Sequence, residues 1–335
     1  MTGLALHRTP AWRGAAAAGL FLLALVSPGC RKAATPPEEG TAPPDGTAVV
    51  RGATPAREAA DNATEGAAPA PLVEVQHEDY AQARNRFRSR LLRRGPAPQP
   101  WSPVKPPEGV AEVEYHSGDL RLRAWMNRPA EAGAKQPAVL FLHGGFAFDR
   151  DDWAVSQPLR DAGFVVLTPT LRAENGQPGS FTLFYDEVDD VLAAAAFLSQ
   201  QPSVDADRLY VAGSSAGGTL ALLAAAASPR FRAAASFSAS PDQALLVKHA
   251  RIELPFDQGD PRELQLRSPL AYAGSFKCPV RIYYATQDHF VRTSQRTAEV
   301  ARERGLDVEA VRMDGDHGSI VPLAVRQSIP FFQGK

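Results

Sequence analysis

From residue 138 onward the chain alternates short, continuously apolar runs with segments of helical pattern. The apolar runs are AVLFL, FVVLTP, LYVAG, AAASFS, VRIYYA and VEAVRM. Between them lie segments such as DEVDDVLAAAAFLSQ and SQRTAEVARERG, which are typical of helices. Strands without polar alternation are buried on both faces, as in a parallel sheet covered by helices. The pattern therefore predicts an α/β fold with an open, mostly parallel central sheet and helices on both faces.

Upstream of this region the pattern changes twice. Residues 110–129, VAEVEYHSGDLRLRAWMNRP, alternate apolar and polar positions on both sides of SGD, which predicts an antiparallel hairpin. Before it, HEDYAQARNRFRSRLLRRG spaces Tyr80, Ala83, Phe87 and Leu91 as on one face of a helix. A Pro-rich connector, GPAPQPWSPVKPPEG, follows this predicted amphipathic helix. The arginines of the helix are interpreted as a solvated face, with contact to anionic lipid as the alternative.

The beginning of the chain predicts export and a tether. Two arginines precede an apolar run at 15–26 that is too short to span a bilayer, which is typical of an export signal. The signal ends at VSPGC, which resembles a bacterial lipoprotein box. We therefore expect Cys30 to carry lipid and to tether the protein to a membrane of the cell envelope, with ordinary signal cleavage or a simple membrane anchor as alternatives. The next 45 or so residues are rich in Ala, Pro, Thr, Glu and Gly, which predicts a disordered linker.

These patterns divide the chain into four parts: a signal peptide at 1–30, a linker at 31–75, a helix and connector at 76–109, and a main domain at 110–335. Composition excludes some functions for that domain. With 44% hydrophobic and 22% charged residues and a formal net charge of −1, the chain has no overall field that would gather nucleic acid. The two cysteines, Cys30 and Cys278, lie far apart, so we expect neither a disulfide nor a metal site.

Chemistry-bearing residues follow three of the predicted strands. LYVA is followed by GSSAGG, in which Ser215 stands between Gly213 and Gly217. VRIYYA is followed by Asp288, and VEAVRM is followed by His317 in DGDHGS. The carboxyl ends of parallel strands meet at one edge of the sheet, where ligands bind. A serine there needs an imidazole to accept its proton and a carboxylate to orient that imidazole, and these residues fit the three roles.

Each of these choices has an alternative. Ser214 fits a looser frame, because alanines rather than glycines stand two residues away on either side. Asp288 could cap the helix that follows it, and Asp314 or Asp316 could then orient the histidine. GSSAGG could also be only a flexible turn. We prefer Ser215 because it alone of the two serines has glycine two residues away on both sides, and His317 because it lies between glycines after the last predicted strand. Asp288, Asp314 and Asp316 remain the candidate acids at this point.

From about residue 113 to the C-terminus the chain resembles the α/β-hydrolase superfamily, in particular the hydrolase domain of prolyl oligopeptidase-type and dienelactone-hydrolase-type proteins. The resemblance rests on GSSAGG, on HGGF after the first parallel strand, and on LRAENGQPG, DEVDDVLAAAAFL and RSPLAYAG. It implies the α/β-hydrolase fold and a catalytic triad of Ser215, Asp288 and His317. It also implies an oxyanion hole made by the backbone N–H of Ala216 and that of Gly145 or Phe146.

The resemblance implies a serine hydrolase that cleaves a small ester or a short peptide through an acyl-enzyme, without a metal or organic cofactor. A prolyl oligopeptidase-like peptidase is one alternative, and a non-catalytic surface binding protein with the same fold is another. No G-x-G-x-x-G follows the first parallel strand, so a dinucleotide-binding domain is set aside. His143 is expected to shape the oxyanion turn, and residues 241–277 are expected to form a lid with Phe256 and Leu264 as apolar anchors.

Overall fold

The computed structural model describes residues 72–128, 134–249 and 253–335. The predicted signal peptide, Cys30 and the linker as far as residue 71 lie outside these ranges. Among the residues that are described, no helix is long and apolar enough to cross a bilayer.

The described chain alternates strands and helices through most of its length. The strands are β1 Val110–Ser117, β2 Leu120–Asn127, β3 Gln136–Leu142, β4 Val165–Pro169, β5 Val204–Ser214, β6 Ala233–Phe237, β7 Val280–Ala285 and β8 Val308–Met313. The helices are α1 Tyr80–Arg86, α2 Arg150–Val155, α3 Gln157–Asp161, α4 Glu187–Ser199, α5 Ala216–Ala227, α6 Gln243–His249, α7 Pro261–Gln265, α8 Val291–Glu303 and α9 Val321–Gln333, with a 3₁₀ turn at Ala273–Ser275.

Within these ranges eight strands form one sheet in the order β1-β2-β4-β3-β5-β6-β7-β8. The six strands β4-β3-β5-β6-β7-β8 pair with their neighbours in parallel. At the other end of the sheet, β2 pairs antiparallel with both β1 and β4. Ser117 pairs with Leu120 across the two-residue turn of the hairpin. The predicted mostly parallel sheet and its antiparallel hairpin are both confirmed.

The apolar runs are continuous because both faces of the sheet are covered. On β3, Leu140 packs into a core layer that also holds residues of α4 and α5. Its neighbours Val139 and Phe141 point to the opposite face and pack with residues of α2, α3 and α9. Alternate side chains of one strand thus enter two different core layers, so neither set can be polar.

The first helix is shorter than its sequence predicts. α1 ends at Arg86, and Phe87 already has an extended backbone, with φ −103° and ψ 152°. Leu91, expected on the same helical face as Tyr80, instead forms an isolated antiparallel bridge with Phe256. The prediction of a helix through Leu91 is therefore wrong.

A buried carboxylate accounts for the early end of this helix. Glu263 is fully buried, and it accepts hydrogen bonds from the hydroxyl of Ser89 at 2.8 Å and the N–H of Arg90 at 2.6 Å. Arg267, also fully buried, pairs with Glu263 at 2.5 Å and donates to Ser89. These contacts hold the chain extended where helical spacing alone favours a helix. We call residues 87–105, which continue along the domain from here, the arm.

Candidate active site

Ser215 occupies the turn between β5, which ends at Ser214, and α5, which begins at Ala216. Its backbone has φ 52° and ψ −116°, a conformation that residues other than glycine rarely adopt. Such a conformation costs on the order of 1–3 kcal/mol and persists only where its surroundings impose it. Here the strand and the helix on either side do so, and the Ser215 N–H donates to the Phe237 carbonyl at 2.8 Å. The turn matches a nucleophile elbow.

The two glycines around Ser215 are required by close backbone approach. A Cβ on Gly217 would overlap the carbonyl oxygens of Leu142 and His143 at the end of β3. A Cβ on Gly213 would overlap the carbonyl of Gly217. The G-x-S-x-G pattern therefore reflects how tightly the turn packs against the neighbouring strand.

The structure brings together the three side chains that the sequence singles out. The Nε2 of His317 lies 2.9 Å from the Oγ of Ser215, and its Nδ1 lies 2.6 Å from the Oδ2 of Asp288. The Asp288 side chain is 5% exposed and that of His317 is 44% exposed, so the ring is open to solvent while its carboxylate partner is not. An unbroken line of hydrogen-bonding atoms thus runs from hydroxyl to imidazole to carboxylate.

The alternative acids lie elsewhere. The side chain of Asp316 accepts from the N–H groups of Gly318 and Ser319, within its own turn. Asp314 pairs with Arg312. Of the three candidate acids, Asp288 is the one placed against the histidine ring.

His143 is buried beneath the HGGF turn and is held at both ring nitrogens. Its Nδ1 lies 2.9 Å from the carbonyl oxygen of Gly144, and its Nε2 lies 3.0 Å from a carboxylate oxygen of Glu174, which also accepts from the Leu171 N–H. A carbonyl and an ionised carboxylate are both acceptors, so a doubly protonated ring donates to both. Burial alone lowers the pKa of His143, but Glu174, aided by Asp152, raises it to about 9. His143 is therefore an imidazolium at neutral pH.

Within the described part of the chain, two of the three candidate oxyanion donors have no protein acceptor. Among the described residues, no acceptor is found for the N–H of Ala216 or of Gly145. Ala216 is the first residue of α5, where backbone N–H groups lack a partner within the helix. The N–H of Phe146, in contrast, donates to the side-chain oxygen of Gln99 in the arm at 2.8 Å.

A small cavity of about 10 Å³, enough for about one water molecule, lies beside Gly145 and Ala216. Its wall is mostly apolar and comes from the HGGF turn, the loops after β4 and the starts of α4 and α5: Leu142, His143, Gly145, Phe146, Pro169, Leu171, Glu174, Phe181, Phe184, Glu187, Ala216 and Leu220. As far as residues 241–277 are described, none of them lines this cavity. The segment before α4 contributes Phe181 and Phe184 to the wall.

Glu187 holds the segment that carries Phe181 and Phe184. Its carboxylate accepts from the N–H and the hydroxyl of Thr182 at 2.7 and 2.5 Å, and from the N–H of Tyr185 at 3.1 Å. Burial raises the pKa of Glu187 to about 7 although these hydrogen bonds oppose the shift. Phe184, between the bonded residues, has a positive φ of 68°. The loop is thus held rigidly by one buried acid.

Sequence reasoning missed Glu174 and Gln99 as parts of this region. Glu174 lies in LRAENGQPG, which follows a predicted strand, and an acid near the carboxyl end of a strand could have been recognised as a candidate site residue. Gln99 gives no such signal, because it lies in a Pro-rich segment 47 residues from its partner. Within the described ranges, no group of three His, Cys, Asp or Glu side chains is placed to hold a metal ion.

Comparison with protein families adds to this geometry. The family model described as "Dienelactone hydrolase family" matches residues 122–319, which are more than half of the chain. The chain belongs to the dienelactone hydrolase family. This membership agrees with the sequence resemblance and means that the chain carries a domain of the serine-hydrolase type.

Two curated relatives of this dienelactone hydrolase family member come from Bacillus subtilis (strain 168). The uncharacterized peptidase YtmA is 31% identical over 116 residues, which are 33% of this chain and 43% of the relative. The uncharacterized peptidase YuxL is 26% identical over 198 residues, which are 53% of this chain and 30% of the relative. The aligned part thus spans less than half of each relative.

Solved structures similar to this family member include both peptidases and esterases. An acylaminoacyl peptidase from Pyrococcus horikoshii has a TM-score of 0.55 and 22% identity, covering 67% of this chain and 40% of the peptidase. A Pyrobaculum calidifontis esterase has a TM-score of 0.56 and 21% identity, covering 68% of this chain and 86% of the esterase. The carboxylesterase EstE1, from a metagenomic library, has a TM-score of 0.56 and 21% identity, covering 76% of this chain and 93% of the carboxylesterase. At these identities the likeness establishes the α/β-hydrolase fold.

Proposed function

We propose that this protein is a serine hydrolase that cleaves an ester or a short-peptide bond through an acyl-enzyme on Ser215. The observation that carries the proposal is the line of hydrogen bonds from Ser215 through His317 to Asp288. Family membership supports the hydrolase class. The strained backbone of Ser215, in the turn before α5, supports its role as the nucleophile.

The first half of the reaction forms the acyl-enzyme. The Oγ of Ser215 attacks the carbonyl carbon of the substrate while the Nε2 of His317 takes the hydroxyl proton. Asp288, on the other side of the ring, keeps the remaining proton on Nδ1 and stabilises the imidazolium. His317 then gives its proton to the departing alcohol or amine. In the second half, water attacks the acyl carbon while His317 takes its proton, and His317 then returns that proton to the Oγ of Ser215 as the acid leaves.

The negative oxygen of each tetrahedral intermediate needs hydrogen-bond donors. We assign this role to the N–H groups of Ala216 and Gly145, because neither has a protein acceptor in the described structure. Phe146 is the less favoured donor because its N–H is already bonded to Gln99. The imidazolium of His143, bonded to the carbonyl of Gly144, adds positive charge close to the same turn.

Substitution of the two adjacent serines tests the proposal. Ser215→Ala should abolish hydrolysis of p-nitrophenyl acetate, while its melting temperature should stay within a few degrees of the unmodified protein. Ser214→Ala is the matched control, and it should keep most of the activity. Full activity in Ser215→Ala would reject the assignment.

Esterase and peptidase activity are distinguished by matched substrates. The named peptidases and esterases among the similar proteins support both classes. A panel that presents one acyl group as a p-nitrophenyl ester and as a p-nitroanilide, with aminoacyl and prolyl amides alongside, separates them. An esterase should hydrolyse only the ester of each pair, whereas a peptidase should also cleave the amides.

Export and lipidation at Cys30 remain a proposal supported by the sequence VSPGC. Metabolic labelling with a radioactive fatty acid tests it. Cys30→Ser should remove the label, and Cys278→Ser should retain it. A label that survives in Cys30→Ser, or is absent from the unmodified protein, would reject the lipid anchor.

A further inference from the structure

The arm passes along the candidate site and is fixed to the domain on both sides of Gln99. Backbone and side-chain hydrogen bonds of 2.8–3.1 Å join it to four other segments: Leu92 N–H to Pro255 O, Phe181 N–H to Gly95 O, Ala97 N–H to Ala173 O, and Arg150 Nε to Lys105 O. Prolines at 96, 98, 100 and 103 stiffen the part that carries Gln99. Gln99 is therefore presented from a backbone that is anchored before and after it.

The side chain of Gln99 bonds to the turn that carries the candidate oxyanion donors. Its Oε1 accepts from the N–H of Phe146 at 2.8 Å, and the same oxygen lies against the Cα of Gly145, where an added Cβ would overlap it. One residue earlier, the carbonyl of Gly144 accepts from the ring of His143. The peptide groups before and after Gly145 are thus each held by a side chain.

The first of these bonds sets the direction of the Gly145 N–H, and the second restrains the peptide plane that follows it. A trans peptide is planar, with its C=O and N–H directed to opposite sides. Holding the Gly144 carbonyl on the His143 ring therefore directs the Gly145 N–H away from that ring. Gly145 has a φ of 66°, and glycine has wide backbone freedom, so the second peptide plane needs its own restraint. Gln99 supplies that restraint.

We propose that Gln99 is a positioning residue, which holds the peptide after Gly145 by binding the N–H of Phe146 and so keeps the turn in the conformation that presents the Gly145 N–H to the oxyanion. This inference rests on the proposed serine-hydrolase function. The opposite role, in which Gln99 occupies a donor that the oxyanion needs, would require Phe146 to be the working donor. Gln99 does not compete with the oxyanion for the N–H groups of Gly145 and Ala216.

Gln99→Met tests the role because it keeps the bulk of the side chain and removes the acceptor. The kcat for p-nitrophenyl acetate should fall about ten-fold with KM changed less than about two-fold, a smaller loss than the roughly 100- to 1,000-fold caused by removing an oxyanion donor itself. Gln99→Asn keeps the amide but shortens its reach, and it should lose activity similarly. Gln258→Met, at an exposed glutamine before α7, is the matched control and should leave kcat unchanged.

A trifluoromethyl ketone separates positioning from general damage. When it binds, the Ser215 oxygen adds to the ketone carbon, His317 takes the hydroxyl proton and the ketone oxygen becomes the oxyanion. Its inhibition constant should rise in Gln99→Met by the factor by which kcat/KM falls. Unchanged or faster turnover, or slower turnover with an unchanged inhibition constant, would overturn the role of Gln99. Activity in Ser215→Ala would instead overturn the proposed function itself.

Discussion

His143 and Glu174 form an ion pair at 3.0 Å, with both side chains almost completely buried, under the turn that follows β3. The pair fixes the carbonyl of Gly144 and so links a buried charge to the geometry of the candidate oxyanion donors. Because burial disfavours an isolated charge, the imidazolium depends on the carboxylate beside it.

This pair predicts how stability depends on pH. The pKa of His143 is raised in the folded protein to about 9, so its contribution is complete below the unfolded value near 6.5 and is lost as pH rises through 9. Between pH 7 and 8.5 the free energy of unfolding should fall by up to about 1.4 kcal/mol per pH unit. Asp152 also faces His143, but its raised pKa of about 6 lies below this window. Glu187, with its pKa raised to about 7, is about half titrated at pH 7 and adds a slope of the same sign up to about pH 8, in the unmodified protein and in Glu174→Gln alike.

Urea unfolding at several pH values measures this slope. Glu174→Gln removes the charge that raises the pKa of His143, so the variant should show a much flatter slope over the same range. A slope that is equally steep in Glu174→Gln would contradict the role of the pair.

The packing of the elbow predicts an unusual effect of a glycine substitution. Gly217 lies in α5, where helix propensity alone would make alanine stabilising by about 1 kcal/mol. The overlap of a Cβ with the end of β3 should instead make Gly217→Ala destabilising by about 3 kcal/mol, with loss of activity. Gly95→Ala is the control, because nothing lies within 4 Å of its added Cβ. Thermal unfolding of both variants checks this, and a more stable Gly217→Ala would refute the close approach.

The buried ion pair under the arm predicts a large cost for a conservative change. Glu263→Gln leaves the charge of Arg267 buried without its carboxylate and should lower the free energy of unfolding by about 3 kcal/mol. Glu303→Gln makes the same chemical change in an exposed pair with Arg296 and should cost less than about 1 kcal/mol. Denaturant titration compares the two, and equal costs would show that burial does not set the energy of these pairs.

The small cavity beside Gly145 and Ala216 predicts a preference for short acyl groups. At about 10 Å³ the cavity holds roughly one water molecule, and its wall is partly aromatic, so a long acyl chain could enter it only if the wall moved. The kcat/KM for p-nitrophenyl esters should therefore fall from acetate to octanoate. Phe184→Ala should enlarge the pocket and shift the preference toward longer chains, whereas Leu323→Ala, on the exposed face of α9, should leave the order unchanged. An optimum at octanoate in the unmodified protein would rule out this cavity as the acyl pocket.

The fold was predictable where burial controls the sequence. β3 is buried on both faces, so its apolar run could be identified without knowledge of its partners. Ser215, Asp288 and His317 could be found because each follows such a run. Leu91 was assigned to a helix because its spacing is helical, but the contacts of Glu263 with the neighbouring residues are not visible in any local pattern.

The missed parts of the candidate site share one property, which is that their partners lie far away along the chain. Gln99 bonds to a residue 47 positions later, and Glu174 to one 31 positions earlier. A contact between residues so far apart in the sequence produces no periodic pattern of residue types. Residues 241–277 were expected to form a lid over the site, whereas the wall of the cavity beside the candidate oxyanion donors includes Phe181 and Phe184, which belong to a loop fixed by Glu187.

Covalent labelling with a fluorophosphonate tests the central claim most directly. The Ser215 oxygen should displace fluoride from phosphorus while His317 takes the hydroxyl proton, and mass spectrometry of the digested protein locates the adduct. We expect one adduct on Ser215, none in Ser215→Ala, and strongly slowed labelling in His317→Ala. An adduct on Ser214, or labelling that persists in Ser215→Ala, would contradict the proposal that Ser215 is the nucleophile.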